Sequence, residues 1–333
     1  MAKDAARMKL SDLGEFPFLR RLRGRVPADP CVLLGLGDDC AVLSLSGTTL
    51  LTTDAMIENV HFRREWTSFS VLGEKAFMVN ASDIAAMGGE PTFALLSLGV
   101  PQECEVEDLD AFFDGFVRAA GACGAALIGG NMSAAPCLML SVTLLGRAPH
   151  SVVTRGGARV GDDLYVTGTL GDAALGFRML QEGRNTADAQ AVKARFLRPT
   201  ARLAIGWEVA ARGQATAMID VSDGLLQDLG HLCEESRVGA VVEAQALPLS
   251  DAYRALLGDR DWSLALTGGE DYELLFSVSA EHRPALDAVA QSSACSITRI
   301  GRIVPQAEGL NVRGPDGRVY TPAHVGYDHF RLA

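Results

Sequence analysis

Short apolar runs alternate along this chain with segments of helical period, and the alternation restarts halfway. This pattern constrains the fold most, because each strand and helix has one apolar side to bury against a neighbouring layer. In the first half, Ala41–Leu45 and Leu50–Thr53 read as strands joined by the Ser46-Gly47 turn. Ser70 reads as the N-cap of a helix running to about Met87, closed by Gly88-Gly89 and Pro91. A strand at Phe93–Val100 and a helix at Val106–Gly121 follow, then strands at Ala125–Ile128 and Leu138–Leu145. Gly146–Val160 holds Pro149, Gly156 and Gly157 without a period, which sets expected domains of 1–148 and 149–333. The second half carries strands at Leu164–Thr167, Ala217–Asp220, Ala240–Glu243, Tyr272–Val278 and Ile297–Val304. Helices fall near Gly171–Leu180, Ala201–Ala211, from Ser222 onward, and at Ala280–Ala290. The expected class is α/β and α+β in two domains, not all-α.

Charge and cysteine narrow the partners. Asp and Glu number 41 against 30 Lys and Arg, a net charge of −11, so nucleic acid and anionic membranes are not expected partners. No run approaches the ~18 apolar residues of a membrane span, and Met1–Leu10 lacks a signal-like apolar run. The 7 cysteines are scattered and contain no C-x-x-C pair, which points to a reduced, cytoplasmic setting without disulfides or structural zinc. His324 and His329 lie close together but lack Cys partners for a zinc site.

The acids are concentrated where a lone carboxylate is costly to bury. Gly35-Leu36-Gly37-Asp38-Asp39-Cys40 opens a strand, and Thr52-Thr53-Asp54 ends one. In Asn80-Ala81-Ser82-Asp83, Asn80 and Asp83 share a helix face. In Ile219-Asp220-Val221-Ser222-Asp223-Gly224, a strand meets a helix, with Ser222 read as the cap. Leu266-Thr267-Gly268-Gly269-Glu270-Asp271-Tyr272-Glu273 places three acids around a strand start. Singly, Asp38-Asp39 reads as a turn and Ser222-Asp223 as a helix cap. Together these motifs exceed what capping needs, and hard oxygen donors of this kind suit Mg2+ or Ca2+. Two glycine-rich segments can serve phosphate: Ile128-Gly129-Gly130-Asn131, read as a strand end, and Thr167-Gly168-Thr169-Leu170-Gly171-Asp172. The second is equally a tight helix start. No G-x-x-x-x-G-K-[ST] loop, G-x-G-x-x-G fingerprint or protein-kinase motif is present.

Taken together, GDDCAVL, TTDAMIENVHF, NASDIAAMGGEP, LIGGN, TRGGARVGDDLYVTGTLGDAALG, IDVSDGLLQDLGHL, LTGGEDYELLF and GYDHF resemble the thiamine-monophosphate kinases. These belong to the superfamily of aminoimidazole ribonucleotide synthetase, and the likeness spans Gly14 to Phe330. The resemblance implies phosphorylation of thiamine monophosphate by ATP, the last step of thiamine diphosphate biosynthesis. It also implies several Mg2+ ions, an N-terminal α/β domain that binds ATP and Mg2+ and forms a homodimer, and a C-terminal α+β domain completing the active site. By the same resemblance, Asp39, Thr52, Thr53, Asp54, Asp83, Asp220 and Asp223 match Mg2+ ligands. Gly130, Asn131, Arg155 and Ser222 match ATP contacts, and His61 and Glu270 match substrate contacts. No side chain is expected to act as nucleophile or general base, because the acceptor phosphate is already ionised near pH 7.

Two positions depart from the family pattern. Asn131 stands where an Asp is usual, which keeps an oxygen ligand and removes a charge. His324 stands in the place of a substrate-stacking aromatic. Two rivals stay open at this level. One is a sister enzyme that uses ATP to activate a carbonyl oxygen; the other is a nucleotide- and metal-binding paralogue without catalysis.

Overall fold

The computed structural model describes residues 8–9, 29–34, 42–320, 322 and 326. The chain divides into two compact units, Met1–Ala81 with Glu90–Arg147, and Ser82–Gly89 with Ala148–Ala333. The short segment 82–89 thus groups with the second unit.

In the first unit, β1 (Val32–Leu34) and β2 (Val42–Leu43) form an antiparallel pair. Strands β3 (Thr48–Ile57), β4 (Glu90–Val100), β5 (Ala126–Ala134) and β6 (Met139–Ala148) form a sheet of order β3-β6-β4-β5. Strand β4 runs antiparallel to β6 and parallel to β5. A parallel neighbour requires a crossover, and α2 (Val106–Ala122) supplies it. Helix α1 (Phe69–Ala86) meets α2 closely: a Cβ at Gly73 would strike the Phe112 carbonyl, and one at Gly115 the Ser70 carbonyl. Phe77 and Phe116 pack edge-to-face beside them at 5.7 Å. The start of α1 corrects the expectation, because Ser68 Oγ, not Ser70, accepts the Val71 N–H at 3.3 Å.

Two strands run further than expected. Asp54 lies inside β3 and not at its end, and Gly129, Gly130 and Asn131 lie inside β5. A bulge at Ile128 shifts the pairing from Ala94–Leu127 to Leu95–Gly129. A Cβ at Gly130 would collide with the Leu96 carbonyl oxygen, so close strand approach already requires this glycine.

The second unit is built on a seven-stranded sheet. Its strands are β7 (Asp163–Thr167), β8 (Ala215–Val221), β9 (Val238–Glu243), β10 (Glu273–Val278), β11 (Ile297–Pro305), β12 (Leu310–Arg313) and β13 (Val319–Tyr320). Their spatial order is β13-β12-β9-β11-β7-β10-β8, antiparallel throughout except for β12 on β9. The helices are α3 (Asp172–Gln181), α4 (Ala187–Leu197), α5 (Leu203–Ala211), α6 (Leu225–Ser236), α7 (Asp251–Leu257), α8 (Ser263–Thr267) and α9 (Arg283–Ser292). The neighbouring interior strands β7 and β10 are buried along their whole length, so helices cover both faces there. Leu164, Val166 and Leu275 pack with Leu175, Leu229 and Tyr253 on one side. Tyr165, Leu274 and Phe276 pack on the other with Val209, Leu286 and the end of α1 at Ala85 and Ala86. Among the described residues, no helix is long and apolar enough to cross a membrane.

Candidate functional site

In the first unit, β3 presents its candidates on opposite faces. Strand alternation sends Thr52 and Asp54 one way and Thr53 the other. The Thr53 hydroxyl donates to the Val142 carbonyl at 3.0 Å and accepts from Thr143 Oγ1 at 3.3 Å. These three side chains are therefore not one cluster. The Asp54 backbone is held from α1: buried Asn80 accepts its N–H at 3.0 Å and donates to the Ala76 carbonyl. His61 Nδ1 accepts the Ile57 N–H at 3.0 Å, which leaves the proton of the neutral ring on Nε2. Asn131 is exposed on β5 and donates to Ser133 Oγ at 3.2 Å. Asp39 and His324 lie outside the described residues.

In the second unit, the centre is the turn from β8 into α6. Asp220 is 4% exposed, and its Oδ2 accepts the Ser82 hydroxyl at 2.6 Å. Asp83, one residue beyond Ser82, is half-buried. Ser222 does not cap α6 as expected. The residue before the helix is Gly224, and one oxygen of Asp228 accepts the N–H groups of Ser222, Asp223 and Gly224, each at 3.1 Å. Burial, and secondarily the Asp223 charge, pushes the Asp228 carboxyl up to about 7 against those three donors. Asp223 Oδ2 accepts from Gln227 Nε2 at 3.1 Å. The exposed Arg155 lies on a loop organised by Ser236, whose hydroxyl donates to the Arg155 carbonyl and accepts from Gly157 and Ala158 N–H.

The acid-rich segment before β10 separates into different roles. Asp271 is buried and accepts the Gly171 and Ala173 N–H groups at the start of α3. That helix start is therefore filled by a carboxylate of the protein itself, which realises the tight-start reading of the glycine-rich segment there. Burial pushes the Asp271 carboxyl up to about 8 despite both donors. Glu273 is fully buried, accepts from Thr167, and pairs with Arg195 and Arg202. Glu270 alone of the three is half-buried, at a left-handed φ of 68°. Its N–H donates to the Ser222 carbonyl at 2.7 Å, which ties it to the β8–α6 turn. A non-glycine residue held in this region is strained, and such strain gathers at functional sites.

Asn80, Ser82, Asp228 and Asp271 are thus the polar residues whose tasks the motifs left unread. Among the described residues, no three His, Cys, Asp or Glu side chains gather closely enough to hold a metal alone. The donors present are oxygen atoms of carboxylates, hydroxyls and an amide, which suit a hard cation completed by water and phosphate oxygens.

Comparison with known proteins identifies the family. Residues 37–148 match the N-terminal domain of AIR synthase related protein, and residues 159–312 match its C-terminal domain. The thiamine-monophosphate kinase of Salmonella typhimurium is 40% identical over 328 residues, covering 95% of this chain and 98% of that protein. The crystal structure of the Stenotrophomonas maltophilia thiamine-monophosphate kinase is 41% identical with a TM-score of 0.82, covering 92% of this chain and 98% of that one. AaThiL complexed with AMPPCP and TMP is 36% identical with a TM-score of 0.76, covering 98% of this chain and 100% of that one. This chain belongs to the AIR synthase related family and, within it, to the thiamine-monophosphate kinases.

Proposed function

We propose that this protein transfers the γ-phosphoryl group of ATP to the phosphate of thiamine monophosphate, yielding thiamine diphosphate and ADP. The observation that carries this reading is the 36% identity, over 98% of the chain, to AaThiL complexed with AMPPCP and TMP. In the reaction, an acceptor phosphate oxygen forms the new P–O bond while the bond from the γ-phosphorus to the bridging oxygen breaks. The acceptor is ionised near neutrality, so the protein need not remove a proton. Its task is to align two anions and offset their repulsion.

The assignment of residues is part of this reading. Thr52, Thr53, Asp54 and Asn131 of the first unit, Asp83, Asp220 and Asp223 of the second, and Asp39 would hold Mg2+. Thr53 would do so through its backbone, since its hydroxyl already bonds Val142. Bound Mg2+ would supply positive charge to the phosphates of both substrates. Gly130, Asn131, Arg155 and Ser222 are assigned to ATP, and Arg155 brings a permanent positive charge to the donor phosphates. His61, Glu270 and His324 are assigned to thiamine monophosphate, with the Glu270 carboxylate suited to its cationic ring. Residues 1–148 act as the ATP- and Mg2+-binding, dimer-forming domain, and residues 149–333 as the domain that completes the active site.

The working form is a cytoplasmic homodimer. Leu51 on β3 and Met139 on β6 support this, since these large apolar side chains of neighbouring strands are exposed in a single copy. Light scattering that returns the mass of one chain would remove the dimer from the proposal. The activity itself is tested by incubating the protein with Mg-ATP and thiamine monophosphate and resolving thiamine diphosphate chromatographically. Binding of ATP without product would favour the non-catalytic paralogue.

A further inference from the structure

Three consecutive N–H groups directed at one point make an anion site of the sort phosphates use. Residues 222–224 form one, at the junction of β8 and α6, two residues beyond Asp220. It is already filled by the Oδ2 atom of Asp228, which reaches back from the first turns of α6. Asp228 is 3% exposed, so solvent does not compete for that oxygen. The other side of the turn is clamped as well. Glu270 N–H donates to the Ser222 carbonyl and Tyr272 N–H to the Val221 carbonyl, at 2.7 and 2.8 Å. A Cβ at Gly269 would meet the Ser222 carbonyl oxygen at 2.5 Å, and one at Gly224 the Thr267 carbonyl oxygen at 2.8 Å. With its N–H groups and two of its carbonyls engaged, the turn has the half-exposed side chains of Ser222 and Asp223 to offer.

We infer that Asp228 is a positioning residue for phosphoryl transfer: it occupies the turn's own anion site and so fixes the Ser222 hydroxyl and Asp223 carboxylate as the groups that meet Mg-ATP. This rests on the reading of Ser222 and Asp223 given under the proposed function. Asp228 touches neither substrate; it acts through the backbone that carries the two residues that do. The consequence is specific. The nucleotide's phosphates do not bind the 222–224 N–H groups, and loss of Asp228 damages ATP recognition more than acceptor recognition.

The test uses the full-length protein. Thiamine diphosphate formation by the parent is measured first, because its absence would fail the functional reading and this inference with it. With an active parent, Asp228→Ala is expected to raise KM for ATP at least tenfold while KM for thiamine monophosphate moves less than threefold. Asp228→Asn, whose amide oxygen can accept the same N–H groups, is expected to stay within threefold of the parent in both. A purely structural residue would lower Tm and the active fraction with both KM values unchanged, and that result overturns the inference while leaving the activity standing. Hydrogen exchange on the parent decides the matter even where Asp228→Ala fails to fold. The amides of residues 222–224 are expected to be protected without nucleotide and unchanged by Mg-ATP. Protection that arises only on adding Mg-ATP would show that phosphate takes the site and would overturn the inference.

Discussion

Ser82 Oγ donates to Asp220 Oδ2 at 2.6 Å, joining residues 138 positions apart in the chain. Both are buried, so the bond orients a candidate metal ligand from the last turns of α1. Ser82→Ala removes a charge-assisted bond worth about 2 kcal/mol. It is expected to lower Tm by roughly 5 °C and to raise the half-saturating Mg2+ concentration several-fold. Calorimetry with a Mg2+ titration of the rate measures both, and parental values in both would deny the bond any role.

Glu273 answers two arginines at once. It is fully buried, whereas Arg195 and Arg202 are partly exposed, so Glu273→Gln leaves two cations without their anion. Breaking a buried pair in this way costs about 3 kcal/mol. Urea unfolding is expected to show a clearly lower midpoint at an unchanged m-value. An unmoved midpoint would mean that water solvates both arginines adequately.

Asn131→Asp restores the acid usual in the family at an exposed position whose amide bonds Ser133. Expected is a several-fold lower Mg2+ requirement with Tm within about 1 °C of the parent, since surface changes of this kind seldom exceed ~0.5 kcal/mol. An unchanged Mg2+ requirement would remove position 131 from the ligand set.

Stability should fall as alkali is added, and Asp271 should be one cause. Burial raises its carboxyl from 3.8 to about 8 in the folded protein. Between those values the folded chain binds the proton more tightly than the unfolded chain does. The stabilising contribution is therefore complete below about pH 4 and is lost as pH rises through about 8. Asp271→Asn, which cannot ionise, is expected to show a shallower fall in Tm from pH 5 to 8.5 than the parent, by several degrees. Parallel curves for the two proteins would place the alkaline loss elsewhere.

The legible parts of the fold are those whose partners are close in sequence or whose burial is complete. Strands β7 and β10 carry apolar runs because both faces are covered, β4 carries one although Ser97 on one face is exposed, and α2 carries Phe112, Phe113 and Phe116 on its buried side. Edge strand β3 is mostly exposed, so Thr48, Thr49 and Asp54 hide its true length. Helix α4 buries Ala189, Val192, Lys193 and Phe196 at helical spacing, but a lysine and an alanine in that stripe blur its apolar signal. The second unit's last two strands, β12 and β13, are too short to show a strand period in the sequence. At the candidate site, the motifs mark segments without dividing labour within them. Glu270, Asp271 and Glu273 look alike in sequence. What separates them is contact with Gly171, Arg195 and Arg202, between 70 and 100 residues away in the chain. Asp228 carries no signal of its own in the sequence, because only the folded turn brings its carboxylate to the N–H groups of residues 222–224.

The order of strands in the large sheet bears on how the protein is made. β7, β8 and β9 leave the ribosome first, yet none of them pairs with another. β10 later fills the gap between β7 and β8, and β11 the gap between β9 and β7. A nascent chain halted after residue 243 would therefore carry three apolar strands without a single ladder bond among them. Until β10 and β11 emerge, those strands are exposed to wrong partners, so the time taken to make residues 244–305 bears on the yield of native protein.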